Sequence, residues 1–491
     1  MRSNRFLMLG VFLGVGAEWA IGGRAAAETS LPTSRGKIPV TTSSAEARAE
    51  FLQGRNMFEK LLVTDSVAHF RRAIALDPNF ASAELSLANA APTGQEFFEH
   101  LRKAVALSGK VSDGERLLIA ATEAGANANA PGQKEYLDEL VTAYPNDERA
   151  HFNLAGYYFG QQDYPRAIEH YRKATQLAPD YSTAYNLLGY AYRQSGDYAS
   201  SEKAFQKYIE LIPKDPNPYD SYAELLLKMG RFADSIVQYR KALAIDPNFV
   251  NAHQGIAMDL LYSGKPAEAE KELAEFAKKA RTDGEKRTAL FALTVVHLDG
   301  GDTAKALRDV DAQYAIAAKT NDVPGMTFDL GLKGLIEVDR GEADAAKKEY
   351  DASLELVLES GLSQQVKDNA KLVNHYNQGR VAAARKDFAG AKREADAFRE
   401  GAAAARNPFQ IRNSHELDGT IALAEKSWDK AIAELTQANL QNPQNLYRLC
   451  QAYNGQGDKA RAAEMCGKAA NFNVLPNLNY ALVRTRAKAG A

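Results

Sequence analysis

The residues of this 491-residue chain best suited to metal binding or nucleophilic work are eight histidines and two cysteines. Their spacing does not build a site. His415-Glu416 opens like the helical motif of a zinc protease, in which a second histidine follows on the same helix face, but Gly419 stands where that histidine would be. No glycine-rich phosphate loop of the Walker kind and no G-x-S-x-G nucleophile turn occurs. Carboxylates are numerous and scattered. Asp220 and Glu224 are the one notable pair at helical spacing, and a solvated acidic edge accounts for them more simply than paired catalytic acids. No catalytic residue, no metal site and no cofactor is expected.

Composition narrows the partner as well. Lys and Arg number 60 against 62 Asp and Glu, so the concentrated basic surface that phosphate binding needs is missing and nucleic acid is not an expected partner. Arg2 and Arg5, the apolar run Phe6 to Ala17 and the small residues Ala25-Ala26-Ala27 read as a signal peptide over 1–27, with the mature chain starting at Glu28. No cysteine follows the cleavage site, which closes the lipoprotein route, and no later stretch could span a membrane. The expected product is exported, periplasmic or secreted, and begins with a flexible leader over 28–44.

The remaining length exceeds one ordinary core, which points to several domains or to repeats. Proline recurs every 34 residues at Pro145, Pro179, Pro213 and Pro247, and glycine at the same interval at Gly196, Gly230 and Gly264, with Gln162 one period earlier. A fixed period of this length marks a repeat architecture, and two punctuation marks per period mean two helices per unit. Glycine closes the first helix by taking the left-handed conformation. Proline ends the second because it lacks an N–H and drives its predecessor out of the helical region.

Unit by unit the pattern resembles the tetratricopeptide repeat, whose signature places small or aromatic residues at positions 4, 7, 8, 11, 20, 24, 27 and 32. From Glu148 these positions hold His151, Leu154, Ala155, Tyr158, Ala167, Tyr171, Ala174 and Pro179, and the next two units match as well. The resemblance implies an all-α fold, a right-handed α-solenoid superhelix of about twelve helical hairpins. Degenerate units 1–3 fall over 45–147, the best matches, units 4–7, over 148–283, units 8–9 over 284–360, an insertion over 361–371, units 10–12 over 372–475, and a capping helix over 476–491 that keeps the last apolar face from water. His151, His253, His375 and His415 all land at position 4, where neighbouring units carry tyrosine, and so read as structural. Cys450 and Cys466 land at positions 8 and 24 of one unit, level with each other across the turn at Gly457-Asp458. They form a disulfide stapling the last hairpin if the compartment is oxidising, or pack as two small buried thiols.

The resemblance further implies an inner wall lined by positions 2, 5, 9 and 12 of each first helix. The candidates for a partner-binding groove are Arg149, Phe152, Phe159, Asn186, Tyr190, Arg193, Asn217, Asp220, Glu224, Gln254 and Met258. Farther on, Phe291, Val295, Leu298, Phe328 and Leu335 form an apolar stretch, either an exposed interaction patch or a surface buried as the superhelix tightens. The expected function is a non-enzymatic scaffold or adaptor of the bacterial envelope that binds proteins or peptides in its groove. The alternative is capture of glycans or other small molecules in the periplasm.

Overall fold

In the computed structural model the described residues are 36–490 apart from 61, 92–93 and 128. The expected signal peptide lies outside them. Among the described residues there are twenty-five α-helices and no strand, and the first twenty-four form hairpins. In chain order these are α1 Ala45–Glu59 with α2 Val63–Leu76, α3 Ala81–Ala90 with α4 Gly94–Leu107, α5 Asp113–Ala126 with α6 Ala130–Ala143, α7 Glu148–Gly160 with α8 Tyr164–Leu177, and α9 Ser182–Ser195 with α10 Tyr198–Leu211. Then follow α11 Asn217–Lys228 with α12 Phe232–Ile245, α13 Val250–Tyr262 with α14 Pro266–Lys279, α15 Asp283–Asp299 with α16 Thr303–Lys319, and α17 Val323–Arg340 with α18 Ala343–Glu359. The last hairpins are α19 Gln364–Ala384 with α20 Phe388–Ala404, α21 Pro408–Ala424 with α22 Trp428–Gln437, and α23 Pro443–Gln456 with α24 Lys459–Ala470; α25, Leu478–Ala489, follows alone. The chain divides into two compact units, residues 1–222 and 223–491, with the boundary inside α11.

The turn chemistry is the one the period predicts. Gly196, Gly230 and Gly264 have φ of +86°, +74° and +87°, and Gln162 adopts the same left-handed geometry at +63° without being glycine. Aspartate then caps the second helix, as where Asp197 accepts from Ser200 N–H at 3.0 Å.

Several hairpins close on a small residue of the first helix that faces a large one sixteen positions later. A Cβ built on Gly189 would lie 2.6 Å from the ring of Phe205, and one on Gly334 would lie 2.5 Å from that of Tyr350. Phe205 is fully buried and Tyr350 nearly so, so neither ring has room to yield. In the last hairpin the same two positions are Cys450 and Cys466. Their sulfurs are bonded with Cα atoms 5.2 Å apart, which resolves the two readings in favour of the disulfide.

Two expectations of domain layout change. The insertion expected over 361–371 is mostly helical, since all but its first three residues open α19, at 21 residues the longest helix among the described residues. The hairpins around it have lengthened too: α15 has 17 residues where α13 has 13, so the punctuation interval grows to that between Gly301 and Gly341. The described part of the leader, 36–44, is an extended strap rather than a free segment. Lys37 Nζ donates to Asn146 O at 2.9 Å, Ile38 N–H to Asp147 Oδ2 at 2.8 Å and Thr41 N–H to Glu115 Oε1 at 2.9 Å.

Alanine is the better helix former by about 1 kcal/mol, yet Gly189→Ala is expected to destabilise, since overpacking against Phe205 costs about 1–3 kcal/mol. Gly156→Ala, where the nearest side-chain atom is 3.8 Å away, is expected to stabilise. Urea denaturation of the two variants beside the parent checks the opposite signs.

Candidate functional site

In the first unit the inner-face positions divide by exposure. Asn186, Asn217 and Asp220 are buried, whereas Arg149, Phe152, Phe159, Tyr190 and Arg193 remain partly exposed. The burial has a local cause: inner-face side chains bond to the helices of the neighbouring hairpin. Asn217 Nδ2 donates to Tyr208 Oη at 2.9 Å, and Tyr190 Oη donates to Ser221 Oγ at 3.2 Å. A wall of freely solvated polar groups is therefore not what these positions make.

The partly exposed residues form two aromatic and cationic patches. The Arg193 guanidinium lies 4.7 Å from the centre of the Tyr190 ring, and that ring meets Phe205 edge-on at 5.2 Å. The Arg149 guanidinium lies 5.4 Å from the Tyr181 ring, against which Phe152 packs at 5.2 Å. Arg149 also bridges to the first hairpin, donating to both Glu59 oxygens at 2.7 and 3.1 Å. Burial opposes its charge, but Glu59 holds the guanidinium above its ordinary range. Phe159 stands apart from both patches, edge-on to Tyr164.

In the second unit Glu224, Gln254 and Met258 are buried, and eleven of the thirteen residues of α13 are too. Beside Met258, burial pushes the Asp259 carboxyl up to about 8, with Ser235 acting the other way. The apolar stretch is covered. Val295 and Leu298 belong to one core cluster with Leu478, Leu482 and Val483 of α25, and Phe291, Phe328 and Leu335 pack against that cluster. Of the two readings this is the buried one. What covers the surface is a helix nearly two hundred residues downstream, which packs on α15, α17 and α23 as well as capping α24.

The histidines are tied across their hairpins. His253, His375 and His415 each bring Nδ1 within 2.6–2.7 Å of a carboxylate on the second helix, Glu272, Glu394 and Glu434 in turn. The signal was present in the sequence as a glutamate nineteen residues after each histidine, and it went unread. In the α7–α8 hairpin that place is taken by His170, and the two Nδ1 atoms of His151 and His170 are 3.0 Å apart. His151 Nε2 lies 3.0 Å from Pro145 O and so carries its proton, which leaves Nδ1 to accept from His170. Burial lowers the pKa of both rings. Among the described residues no group of three or more His, Cys, Asp or Glu is arranged to hold a metal ion.

Stacked two-helix units with left-handed turns and a recurring small-to-large contact define a helical-repeat protein, whose working parts are its surfaces. Residues 146–214, 217–249 and 255–322 match family models described as tetratricopeptide repeat, so the chain carries tetratricopeptide repeats over these residues. Such repeats serve in general as non-enzymatic scaffolds for protein–protein interaction. Similar solved structures include MamA protein, 22% identical over 34% of this chain and 91% of that one with a TM-score of 0.30. YrrB, described as a TPR protein with an unusual peptide-binding site, is 20% identical over 37% and 93% at 0.26. A tetratricopeptide repeat protein from Parabacteroides merdae is 14% identical over 55% and 92% at 0.34. No curated protein matches the sequence.

Two pH effects of opposite sign follow. Because their folded pKa values lie below the unfolded one, His151 and His170 contribute stability that is present at neutral pH and lost as pH falls below about 6.5. His170→Glu, which restores the pairing of the other hairpins, is expected to shrink the drop in Tm between pH 7.5 and 5; an unchanged drop would show that the pair is not its source. Asp259 acts the other way: its raised pKa makes stability decline as pH rises from the ordinary carboxyl value of 3.8 to about 8. Asp259→Asn is expected to raise Tm at pH 8 and to flatten that decline in a pH series of thermal melts.

Proposed function

We propose that the chain is an exported adaptor of the bacterial envelope that binds partner proteins or peptides through the inner face of its first unit. The observation that carries the reading is the pair of cation-on-aromatic patches, Tyr190 with Arg193 and Arg149 with Phe152 and Tyr181. Tyr190, Arg193, Arg149 and Phe152 are partly exposed, whereas Asn186, Asn217 and Asp220 on the same face are buried. Tyrosine and arginine supply large, preorganised contact area and are the residue types on which binding energy concentrates.

Export is supported by the charged, apolar and small-residue order of 1–27 and by the Cys450–Cys466 disulfide, which suits an oxidising compartment. Among the described residues no helix is long and apolar enough to cross a membrane. Cleavage after about Ala27 leaves Lys37 to Thr42 in place to strap the first hairpins.

The test is a pull-down from an envelope fraction with the chain from Glu28 onward, beside a variant carrying Tyr190→Ala and Arg193→Ala. Specific proteins are expected with the parent and lost with the variant, whose fold is checked by circular dichroism. Equal recovery by both would remove the site. Recovery of nothing, with a melting temperature that rises on adding sugars, would replace the adaptor by a ligand-capture protein.

A further inference from the structure

The second unit already holds a peptide-like occupant. After α24 the chain runs through Asn471 to Pro476, and the segment touches elements far back in sequence. Lys228 Nζ donates to Phe472 O at 2.6 Å and sits 3.9 Å from the Phe472 ring. Tyr262 Oη donates to Val474 O at 2.7 Å. Helix α25 then lies across α15 and α17, burying Leu478, Leu482, Val483 and Ala487.

Its polar contacts are specific. Buried Arg484 donates from Nε to Asp299 Oδ1 at 2.6 Å and pairs a second time through Nη2 with Oδ2, while its guanidinium faces the Tyr262 ring at 5.3 Å. Two residues on, Arg486 Nη2 donates to Asp339 Oδ1 at 2.8 Å and its guanidinium faces the Tyr447 ring at 5.7 Å. The surface beneath α25 is thus an apolar strip edged by two carboxylates, and the helix that fills it is apolar on one face with Arg484, Arg486 and Lys488 in its last two turns. A buried ion pair recovers little more than its own desolvation, so Arg484 with Asp299 fixes register and selects charge more than it adds net stability. A cap serving only to keep water from the last hairpin would gain more from an aliphatic side chain at that place.

We propose that the groove formed by α13, α15, α17 and α23 is a receptor site for a basic amphipathic helix, and that α25 is its resident, exchangeable occupant. The partner is a helix from another protein that presents an aliphatic stripe and two arginines placed as Arg484 and Arg486 are. The inference deepens the adaptor reading, on which it rests for the existence of a partner. The groove and its occupant lie in the second unit, so loss or retention of binding through Tyr190 and Arg193 leaves it untouched.

The test uses a fluorescent peptide with the sequence of residues 471–490 and the full chain, as parent and as Arg484→Glu with Arg486→Glu. Reversing the two charges removes both pairs and frees the groove while leaving Asp299 and Asp339 in place. The peptide is expected to bind the variant at least about tenfold more tightly than the parent, whose site is filled. Adding Asp299→Lys to the variant is expected to abolish that binding. No binding to a folded variant, or equal binding to parent and variant, would overturn the proposal. If the variant does not fold, hydrogen exchange on the parent decides. Amides of α25 exchanging about tenfold or more faster than those of α15 would show local release, and equal protection would make α25 a fixed part of the core.

Discussion

In the best-formed hairpins the distance between the two helices is set where a residue with little or no side chain lies under a large one. Gly189 under Phe205 and Gly334 under Tyr350 leave no room for even a methyl group, so the helices are as close as the ring allows. That spacing goes with a short turn, which from α7 onward carries a left-handed residue between the two helices of each hairpin. Cys450 and Cys466 occupy the same pair of positions. The bond there replaces a packing contact with a covalent one at the one point in the hairpin where two side chains were already in register.

This constraint explains which parts of the fold were legible. Prolines and glycines at a constant interval mark chain reversals directly, and the small residue and its partner are sixteen positions apart in the same unit, so local reading finds them. The lengthening of α15 to α21 was legible in principle, since Gly301 and Gly341 show the wider interval, but their fit to the shorter template hid it and turned the start of α19 into an apparent insertion. The strap over 36–44 was not legible. Its residues are of a flexible composition, and what holds it are partners far along the chain, such as Asn146, Asp147 and Glu115.

The candidate site divides in the same way. Periodicity places Tyr190, Arg193, Asn217 and Asp220 on first helices, but exposure depends on how closely a first helix approaches the helices of the neighbouring hairpin, and no single-helix pattern contains that distance. Asn217 therefore ends in a buried hydrogen bond with Tyr208 while Arg193 keeps a face toward solvent. The apolar stretch of α15 and α17 shows the limit most clearly. Its hydrophobicity was visible, but its cover lies 185 positions along the chain from Asp299 at Arg484, and nothing local distinguishes a surface awaiting another molecule from one filled by its own chain.

A repeat stack has a particular reason to face this choice. Every first helix adds to an inner face, and lengthening those helices, as α15 and α17 have done, enlarges the apolar area that must be hidden. A globular protein would hide it with further core, but a stack whose units contact only their neighbours has no element available except one that leaves the array and returns across it. Helix α25 is such an element. The protein could have sealed it with aliphatic contacts alone, and instead places Arg484 between Asp299 and the Tyr262 ring, where a wrong register would strand a buried charge on either side. The cost of mispairing is what makes the surface selective, for its own helix and for any other that carries the same charges at the same spacing.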